Sequence, residues 1–278
     1  MRLTATDLKQ KALTKGNWTL NEKGGITFFT SPLLSQIDSL THAFTTRVGG
    51  TSPEPLEWFN LGRHWNTEES RLDASANRIR LCEALSLNFS RLVVPGQVHS
   101  AHTAWISKPT HLPDVDGVAT VERDLPILLH YADCVPIIIF EQHLQAVCVV
   151  HAGWRGTAAG IVRGAVRLLQ QEISAKPELM VAAIGPAIGD CCYQVGDDVS
   201  RQLGASVNDS EGLIRFENEI PHPDLQAINA MQLLEAGVSE IDVSSHCTAC
   251  HPDLFYSHRH SAGQTGRQGA IAGLKLNK

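Results

Sequence analysis

His99, Cys134 and His151 are candidate ligands of a single metal ion. Cys134 directly precedes the apolar run 135–140, and His151 directly follows a second β-rich run, 145–150. Two such runs joined by a four-residue polar turn predict an antiparallel hairpin. A register symmetric about that turn places Cys134 opposite His151. Directly opposed side chains share a face with Cβ atoms roughly 4.5–5.5 Å apart, so one ion could hold both.

The third candidate, His99, lies in a polar break between two apolar stretches. Thiolate and imidazole are ligands that suit zinc. The spacing of the three residues matches no short-range metal motif, since 34 residues separate His99 from Cys134 and 16 separate Cys134 from His151. The spacing alone therefore leaves a second interpretation open, in which each histidine is a surface or hydrogen-bonded side chain.

A glycine-rich turn follows His151 and leads into a helix predicted over 157–173. A strand, a glycine turn and a helix N-terminus together favour phosphate, through free backbone N–H groups and the helix dipole. Within this turn, Arg155 and Gly156 are candidate anion ligands, and Arg155 could add a bidentate contact. The turn matches neither the P-loop nor the dinucleotide fingerprint, and its glycines could equally serve tight packing. Arg47, at another glycine turn, is a candidate anion ligand or a solvated arginine.

The composition limits the class of protein. A chain of 278 residues, 43% hydrophobic and 19% charged, is typical of an ordinary globular protein. The net charge of −6 argues against nucleic-acid and anionic-membrane partners. The sequence shows neither a membrane-spanning apolar stretch nor a signal-peptide apolar region. Seven cysteines without an export signal are expected to be thiols or ligands, so we expect a cytoplasmic protein.

Helical and extended patterns are interspersed along the chain without a linker or repeat, which predicts a single α+β domain with mixed sheets. Residues 1–25 are mixed and polar and are expected to form an N-terminal extension, with the domain spanning 26–278. A helix is predicted at 68–87, where the apolar residues at helical spacing are Leu72, Ala76, Ile79, Cys82 and Leu85. Short strands are expected over 92–151, and further elements at 40–46, 179–184, 194–204, 223–236, 241–245 and 270–276.

Four further cysteines stand close together in two pairs. The second pair, Cys247 and Cys250, is followed by His251 in a pattern that matches covalent haem attachment. Haem attachment of that type normally requires export. The adjacent Cys191 and Cys192 cannot both face one centre if they lie in extended chain, because successive side chains alternate faces. We therefore interpret these four cysteines as structural or incidental.

Motifs along most of the chain carry a family resemblance. They include Ala132-Asp133-Cys134-Val135-Pro136 and His151-Ala152-Gly153-Trp154-Arg155-Gly156, together with matches at 44–50, 97–99, 116–120, 184–189, 191–196, 247–248 and 265–269. In this order they resemble the multicopper polyphenol oxidase or laccase-like family, which is related to the bacterial peptidoglycan-editing factor and the mammalian laccase-domain protein. Ser100, Ala187 and His260 depart from the pattern, standing where glycine, cysteine and a second arginine are common.

The resemblance implies stacked α/β/β/α layers, like those of bacterial toxins with a Cys-His deamidase site, and a zinc ion held by His99, Cys134 and His151. It also implies an enzyme that phosphorolyses adenosine, inosine, guanosine and methylthioadenosine to base and pentose 1-phosphate, and that deaminates adenosine. Its partners would be a nucleoside and phosphate. Three ligands with an open fourth position suit catalytic zinc. One Cys/His/His centre provides no multinuclear copper cluster, so a copper oxidase ranks below phosphorolysis, although N/S sites favour Cu²⁺.

Three interpretations therefore stay open. The leading one is a zinc purine nucleoside phosphorylase with deaminase activity, in which Arg47, Arg155 and the helix N-terminus after Gly156 offset phosphate charge. The second is a metal-free cysteine hydrolase with Cys134 as nucleophile and His151 as base, of which cell-wall peptide editing is a variant. The third is a non-catalytic metal-binding protein. For deamination, Asp133 is available as a carboxylate, but strand alternation aims it away from Cys134.

Overall fold

Short strands and helices alternate along the part of the chain that the computed structural model describes, residues 13–14, 18–62 and 68–276. The strands are β1 (Leu13–Thr14), β2 (Thr19–Lys23), β3 (Ile26–Thr30), β4 (Leu40–Thr45), β5 (Thr103–Trp105), β6 (Gly117–Thr120), β7 (Ile127–Tyr131), β8 (Val135–Glu141), β9 (Ala146–Ala152), β10 (Met180–Ile184), β11 (Ile214–Glu217), β12 (Ile220–Pro223), β13 (Glu240–Val243) and β14 (Gln268–Leu274). The helices are α1 (Glu68–Leu85), α2 (Trp154–Ala158), α3 (Ile161–Ile173), α4 (Asp197–Gly204) and α5 (Leu225–Glu235).

Two sheets form the centre of the molecule. Among the described strands, the larger sheet has seven, in the order β1-β13-β10-β8-β9-β6-β5, and the smaller has five, in the order β2-β3-β4-β14-β7. In the larger sheet β13 pairs in parallel with β1 and β10, and β5 pairs in parallel with β6, while the other pairings are antiparallel. The predicted α+β class with mixed sheets is confirmed.

The apolar side chains divide the molecule into four layers. Along β8, Ile137 and Ile139 pack against α3 and α5, whereas Ile138 and Phe140 pack against the smaller sheet. This alternation is the two-residue period of a strand buried on both faces. On the far side of the smaller sheet, a third apolar cluster joins its strands to α1. The order helix, larger sheet, smaller sheet, helix is the predicted α/β/β/α layering.

The β8–β9 hairpin forms as predicted, but with a different register. Val135 pairs with Ala152, so His151 lies opposite Pro136 and not opposite Cys134. The physical reason is that Glu141, assigned to the turn in the prediction, continues the strand and accepts a hydrogen bond from the Leu144 N–H across the loop. The predicted pairing is therefore wrong by two residues along β9. An even displacement keeps the same face of the sheet, so Cys134 and His151 remain diagonal neighbours.

The helix predicted at 157–173 is two helices. Helix α2 begins at Trp154 and is separated from α3 by Gly160, whose φ of +73° lies in the left-handed region that glycine adopts readily. Gly156 therefore lies inside the first short helix, and the expectation of a helix N-terminus after Gly156 is wrong. The chain turns into the helix at Gly153, two residues after His151.

Part of the predicted N-terminal extension is paired with the sheets. Strand β2 pairs with β3, and Leu13–Thr14 pairs with β13. Residues 1–12 and 15–17 lie outside the described residues, and the boundary at residue 25 stays a prediction. Among the helices of the described ranges, none combines the length and apolar character needed to cross a membrane.

Candidate metal centre

His99, Cys134 and His151 meet at one end of the larger sheet. One donor atom from each of them lies within 4.8 Å of the other two. Cys134 directly precedes β8, His151 lies near the end of β9, and His99 comes from the loop before β5. The hairpin supplies two of the donors, and a separate segment supplies the third.

Gly153 provides the space in which these side chains meet. Continuing the β8–β9 register by one pair places Gly153 opposite Cys134. A Cβ atom at this position would lie 3.0 Å from His99 Cδ2 and 3.1 Å from Cys134 Sγ. Both distances are tighter than ordinary van der Waals contact, so a larger residue would press against the two donors.

A buried carboxylate, Asp116, organises both histidines. Its Oδ1 accepts hydrogen bonds from His151 Nδ1, at 2.9 Å, and from the His99 N–H, at 3.1 Å. Its Oδ2 accepts from the backbone N–H groups of Val98 and Ser100 and from the Ser100 hydroxyl. Because Nδ1 of His151 donates to the carboxylate, Nε2 is the nitrogen available to a metal. Carboxylates commonly orient metal-binding histidines in this way.

The loop that carries His99 is held in a sharp turn. His99 has a φ of +62°, a conformation uncommon for residues other than glycine. Asp116 holds the turn through three successive N–H groups, those of residues 98–100. Gln97 fixes the loop to β7 by a pair of 2.7 Å hydrogen bonds with the backbone of His130. The imidazole of His99 is therefore presented by a rigid loop.

The charges in the centre favour a thiolate. Burial raises the pKa of the Cys134 thiol, but the charge and hydrogen bond of His151, and then those of His99, outweigh it and bring the pKa to about 6. Burial lowers the pKa of His151, whereas Cys134 and Asp116 raise it, to about 9. Burial would raise the pKa of Asp116, but hydrogen bonds from His151 and Ser100 bring it to about 2.

The arrangement fits a metal ion with an open coordination position. His99 is exposed, Cys134 is partly buried and His151 is buried, so the centre is accessible from the His99 side. A thiolate and two imidazoles are donors that both zinc and copper accept. Three protein ligands with one side open are typical of catalytic metal sites, whereas structural sites are closed by four.

The predicted anion ligands differ in their surroundings. Arg47 donates to the backbone oxygens of Glu57 and Pro252, lies 3.7 Å from the Glu57 carboxylate and stacks on Tyr256, so most of its donors hold loops. Arg155 is exposed on α2, with its guanidinium 4.4 Å from the centre of the Trp154 ring. Gly156 is buried against the Ser100 backbone oxygen, where a Cβ atom would lie 2.8 Å away.

Tyr193 and Arg259 lie near the centre and were not identified by the sequence analysis. Burial raises the pKa of Tyr193, and the charge of Cys134 raises it further, while Arg259 and Arg155 act in the opposite direction. Arg259 stacks on the Tyr193 ring at 5.1 Å and donates to the Gln194 backbone oxygen at 2.9 Å. His260 stands where the family commonly has a second arginine, and this difference is the one sequence signal that could have drawn attention to the neighbouring Arg259.

Asp133 connects the centre to more distant loops. Its φ of +86° lies in the left-handed region. Its two carboxylate oxygens accept hydrogen bonds from the Thr248 hydroxyl and from the Arg259 N–H, both at 2.7 Å. Both carboxylate oxygens of Asp133 thus accept hydrogen bonds from the loops that contain Thr248 and Arg259.

Comparisons with known proteins place the chain in a family. The family model described as multi-copper polyphenol oxidoreductase laccase matches residues 41–275, and the chain belongs to this family. The purine nucleoside phosphorylase YlmD of Geobacillus stearothermophilus is 39% identical over 246 residues, which cover 83% of this chain and 89% of that protein. A purine nucleoside phosphorylase of Bacteroides thetaiotaomicron is 30% identical over 259 residues, which cover 88% of this chain and 94% of that protein.

A solved structure agrees with the fold described above. The crystal structure of YlmD from Geobacillus stearothermophilus superposes with a TM-score of 0.84 at 36% identity, covering 90% of this chain and 96% of that one. The family expected from the sequence motifs is therefore confirmed.

Proposed function

We propose that this protein is a zinc-dependent purine nucleoside phosphorylase. It would convert adenosine, inosine, guanosine or methylthioadenosine, with phosphate, to the free base and pentose 1-phosphate, and it would also deaminate adenosine. The observation that carries the proposal is a three-donor centre, His99, Cys134 and His151, open on one side. The names of the relatives support the substrate class.

The residues around the centre have separable roles. When bound by the three donors, zinc supplies Lewis acidity toward a phosphate or water oxygen. Asp116 keeps Nε2 of His151 directed at the centre and holds the His99 loop in place. Tyr193, stacked by Arg259, is held close enough to the centre for the Cys134 charge to raise its pKa. For deamination, water would take the place of phosphate at the same centre.

Among the predicted phosphate ligands, Arg155 has the surroundings that fit best. Its side chain is exposed, and its charge acts on Tyr193 together with those of Cys134 and Arg259. A guanidinium with free donors can bind phosphate bidentately. Arg47 would contribute through its remaining donors and by fixing loops, and Gly156 by allowing α2 to approach the His99 loop.

The test is phosphate-dependent release of hypoxanthine from inosine. We expect one zinc ion at this centre and product formation only when phosphate is present. Cys134→Ala removes a charged ligand and should abolish both the metal at this centre and the activity. Cys148→Ala, on the same hairpin but buried in the core, is the matched control and should keep both. Full zinc occupancy at this centre in Cys134→Ala, or release of base without phosphate, would contradict the proposal.

A second candidate is a metal-free cysteine hydrolase, of which cell-wall peptide editing would be a variant. Cys134 accepts hydrogen bonds from His151, and His151 is oriented by Asp116, which is the nucleophile, base and orienting-group arrangement of such enzymes. Metal analysis of freshly purified protein separates the two candidates. Full hydrolase activity in protein freed of metal would favour this alternative.

The family description suggests a third possibility, a copper-dependent polyphenol oxidase. Four-electron reduction of oxygen would call for several copper ions near one another. Within the described ranges, the groups able to hold a metal are the Cys/His/His set and a set of four cysteines. Neither supplies the additional imidazoles of a multinuclear cluster, so oxidase activity ranks below phosphorolysis.

A further inference from the structure

Four cysteines outside the candidate metal centre bring their sulfur atoms together. The four Sγ atoms all lie within 4.8 Å of one another, and they belong to Cys191, Cys192, Cys247 and Cys250. The Sγ atom of Cys250 is 3.6 Å from that of Cys191 and 3.4 Å from that of Cys192. Since Zn–S bonds are about 2.3 Å long, the sulfurs of a tetrahedral zinc site lie about 3.8 Å apart. The sulfur separations therefore approach those of a four-thiolate site.

The chain is folded to bring these sulfurs together. The sequence analysis excluded a common centre for Cys191 and Cys192 only if they lay in extended chain, and this condition is not met, because they lie in a turn. The N–H groups of Cys192 and Tyr193 both donate to the Gly189 backbone oxygen at 3.0 Å, which closes that turn. In a turn, adjacent side chains no longer point to opposite faces.

The other pair is held against this turn by the backbone. Ala187 and Cys247 form a β-bridge, and the Thr248 N–H donates to the Ala187 oxygen at 2.9 Å. The Gly189 N–H donates to Cys247 Sγ at 3.3 Å, a hydrogen bond that stabilises a thiolate. A Cβ atom at Gly189 would lie 3.2 Å from Cys191 Sγ, so glycine leaves room for the sulfurs.

We propose that these four cysteines bind a second zinc ion in a closed, structural site. Four thiolates around one ion are typical of structural zinc, and tetrahedral sulfur sets select zinc or iron–sulfur centres. The four sulfurs converge on one point, whereas disulfides would join them in pairs. Cys247 is buried and the other three are partly or fully exposed, so an ion can enter from solvent.

The second site would stabilise segments that lie next to the candidate metal centre. Cys192 directly precedes Tyr193, and its backbone oxygen accepts a 3.4 Å hydrogen bond from Arg259. In the segment that carries the other cysteine pair, the Thr248 hydroxyl donates a hydrogen bond to the carboxylate of Asp133, the residue before Cys134. A zinc ion that joins the two cysteine pairs would therefore fix the loops that position Tyr193 and Asp133.

The experiment counts metal ions in a background without the first centre. Cys134→Ala protein, purified under reducing conditions with zinc supplied, should retain one zinc ion per chain, with X-ray absorption showing sulfur ligands at about 2.3 Å. Adding Cys191→Ser and Cys250→Ser, both at exposed positions, should remove this ion. Adding Cys82→Ala instead, a buried cysteine remote from both groups, should leave it bound.

A second measurement leaves the cluster unchanged. Cobalt(II) loaded into Cys134→Ala protein should give the intense visible bands of tetrahedral thiolate coordination, and these bands should disappear on addition of zinc. Absence of bound zinc in Cys134→Ala protein whose cluster thiols all react with maleimide would overturn the proposal. A mass about two daltons lower than that of the reduced chain for each disulfide would also overturn the proposal, because it would show that the four cysteines form disulfides in place of a metal site.

Discussion

A single carboxylate, Asp116, holds both histidines of the candidate metal centre in place. It orients His151 through Nδ1 and fixes His99 through the backbone N–H groups of the loop. Asp116 is itself completely buried. The geometry of the centre therefore depends on a residue that is not one of its three donors.

Replacing this carboxylate should weaken metal binding without removing a ligand. In Asp116→Asn, the amide NH₂ must face either His151 or the N–H groups around Ser100, so donors are left opposing one another. We expect a loss of metal affinity of about 10- to 100-fold, measured by competition with a chelator. Asp114→Asn, at an exposed position on the same loop, is the control. Equal affinities in the two variants would show that Asp116 does not orient the ligands.

The two arginines should respond differently to truncation. Arg155→Ala should weaken phosphorolysis by about 1.5–3 kcal/mol, roughly 10- to 100-fold, through loss of a charge-assisted contact with phosphate. The proposed deamination of adenosine, which would use water in place of phosphate, should fall much less. Arg47→Ala should reduce both activities, because Arg47 also holds the backbone of Glu57 and Pro252. Kinetics of both reactions in each variant provide the measurement. Equal losses in Arg155→Ala would remove its proposed phosphate role.

The sequence indicated which three side chains come together better than it indicated which residues support them. Cys134 and His151 could be brought together because an error of two residues along a strand keeps the same face. Asp116 could not be recognised in the same way. Asp116 begins the motif matched at 116–120, but its hydrogen-bond partners lie on separate segments, from position 98 to position 151, so the motif did not indicate that it orients the histidines.

At the scale of elements, helix α1 shows where periodicity fails. The helix forms where predicted, but Leu72 and Ile79 are exposed, whereas Asn77 and Arg78 are buried. Arg78 donates twice to the Leu61 oxygen, and Asn77 donates to the loop oxygens of residues 58 and 60. Cys82 and Leu85 are buried as the spacing predicts. The inward position of Asn77 and Arg78 depends on hydrogen bonds to a distant loop, which the spacing of apolar residues does not report.

Strand β4 contains a buried histidine that should make stability depend on pH. His42 Nε2 accepts a hydrogen bond from the Ser31 N–H at 3.0 Å, which requires an unprotonated nitrogen. Burial, with a contribution from the Lys275 charge, lowers the pKa of His42 to about 4. In the unfolded chain His42 takes up a proton below about pH 6.5, whereas in the folded protein it does so only near pH 4. The contribution of unprotonated His42 to the free energy of unfolding is therefore present above pH 6.5 and is lost as the pH falls toward 4.

The corresponding experiment measures the free energy of unfolding by urea at pH 7 and pH 5. The decrease between these values should be about 2 kcal/mol larger in the native protein than in His42→Gln, in which position 42 no longer titrates. The amide oxygen of glutamine can still accept the hydrogen bond from Ser31. An identical decrease in the two proteins would show that His42 takes up no proton on unfolding.

At the scale of the whole molecule, the two sheets come into close contact at a position without a side chain. Gly185 directly follows β10 of the larger sheet, and a Cβ atom there would lie 2.2 Å from the ring of Phe44 on β4 of the smaller one. Phe44 is completely buried. At this point the layers can approach as they do only because a glycine follows a strand of one sheet where an aromatic ring of the other sheet packs.

Gly185→Ala should destabilise the protein by about 3 kcal/mol, because neither sheet can withdraw without opening the core. Gly164→Ala, inside α3 with its nearest neighbour atom 3.8 Å away, is the matched control and should stabilise by about 0.5–1 kcal/mol. Thermal and urea unfolding measure both. Shortening the facing ring with Phe44→Leu should partly restore Gly185→Ala. A fully stable Gly185→Ala protein would show that the layers can shift independently.

The graded burial of the three donors also determines how the protein can be inhibited. Reagents reach Cys134 past the exposed ring of His99, while His151 closes the opposite side. With a pKa of about 6, the Cys134 sulfur is a thiolate at neutral pH and reacts readily with alkylating agents whenever no ion is coordinated. A covalent inhibitor should therefore be narrow enough to pass one imidazole, and the rate at which it alkylates Cys134 would report the fraction of metal-free protein.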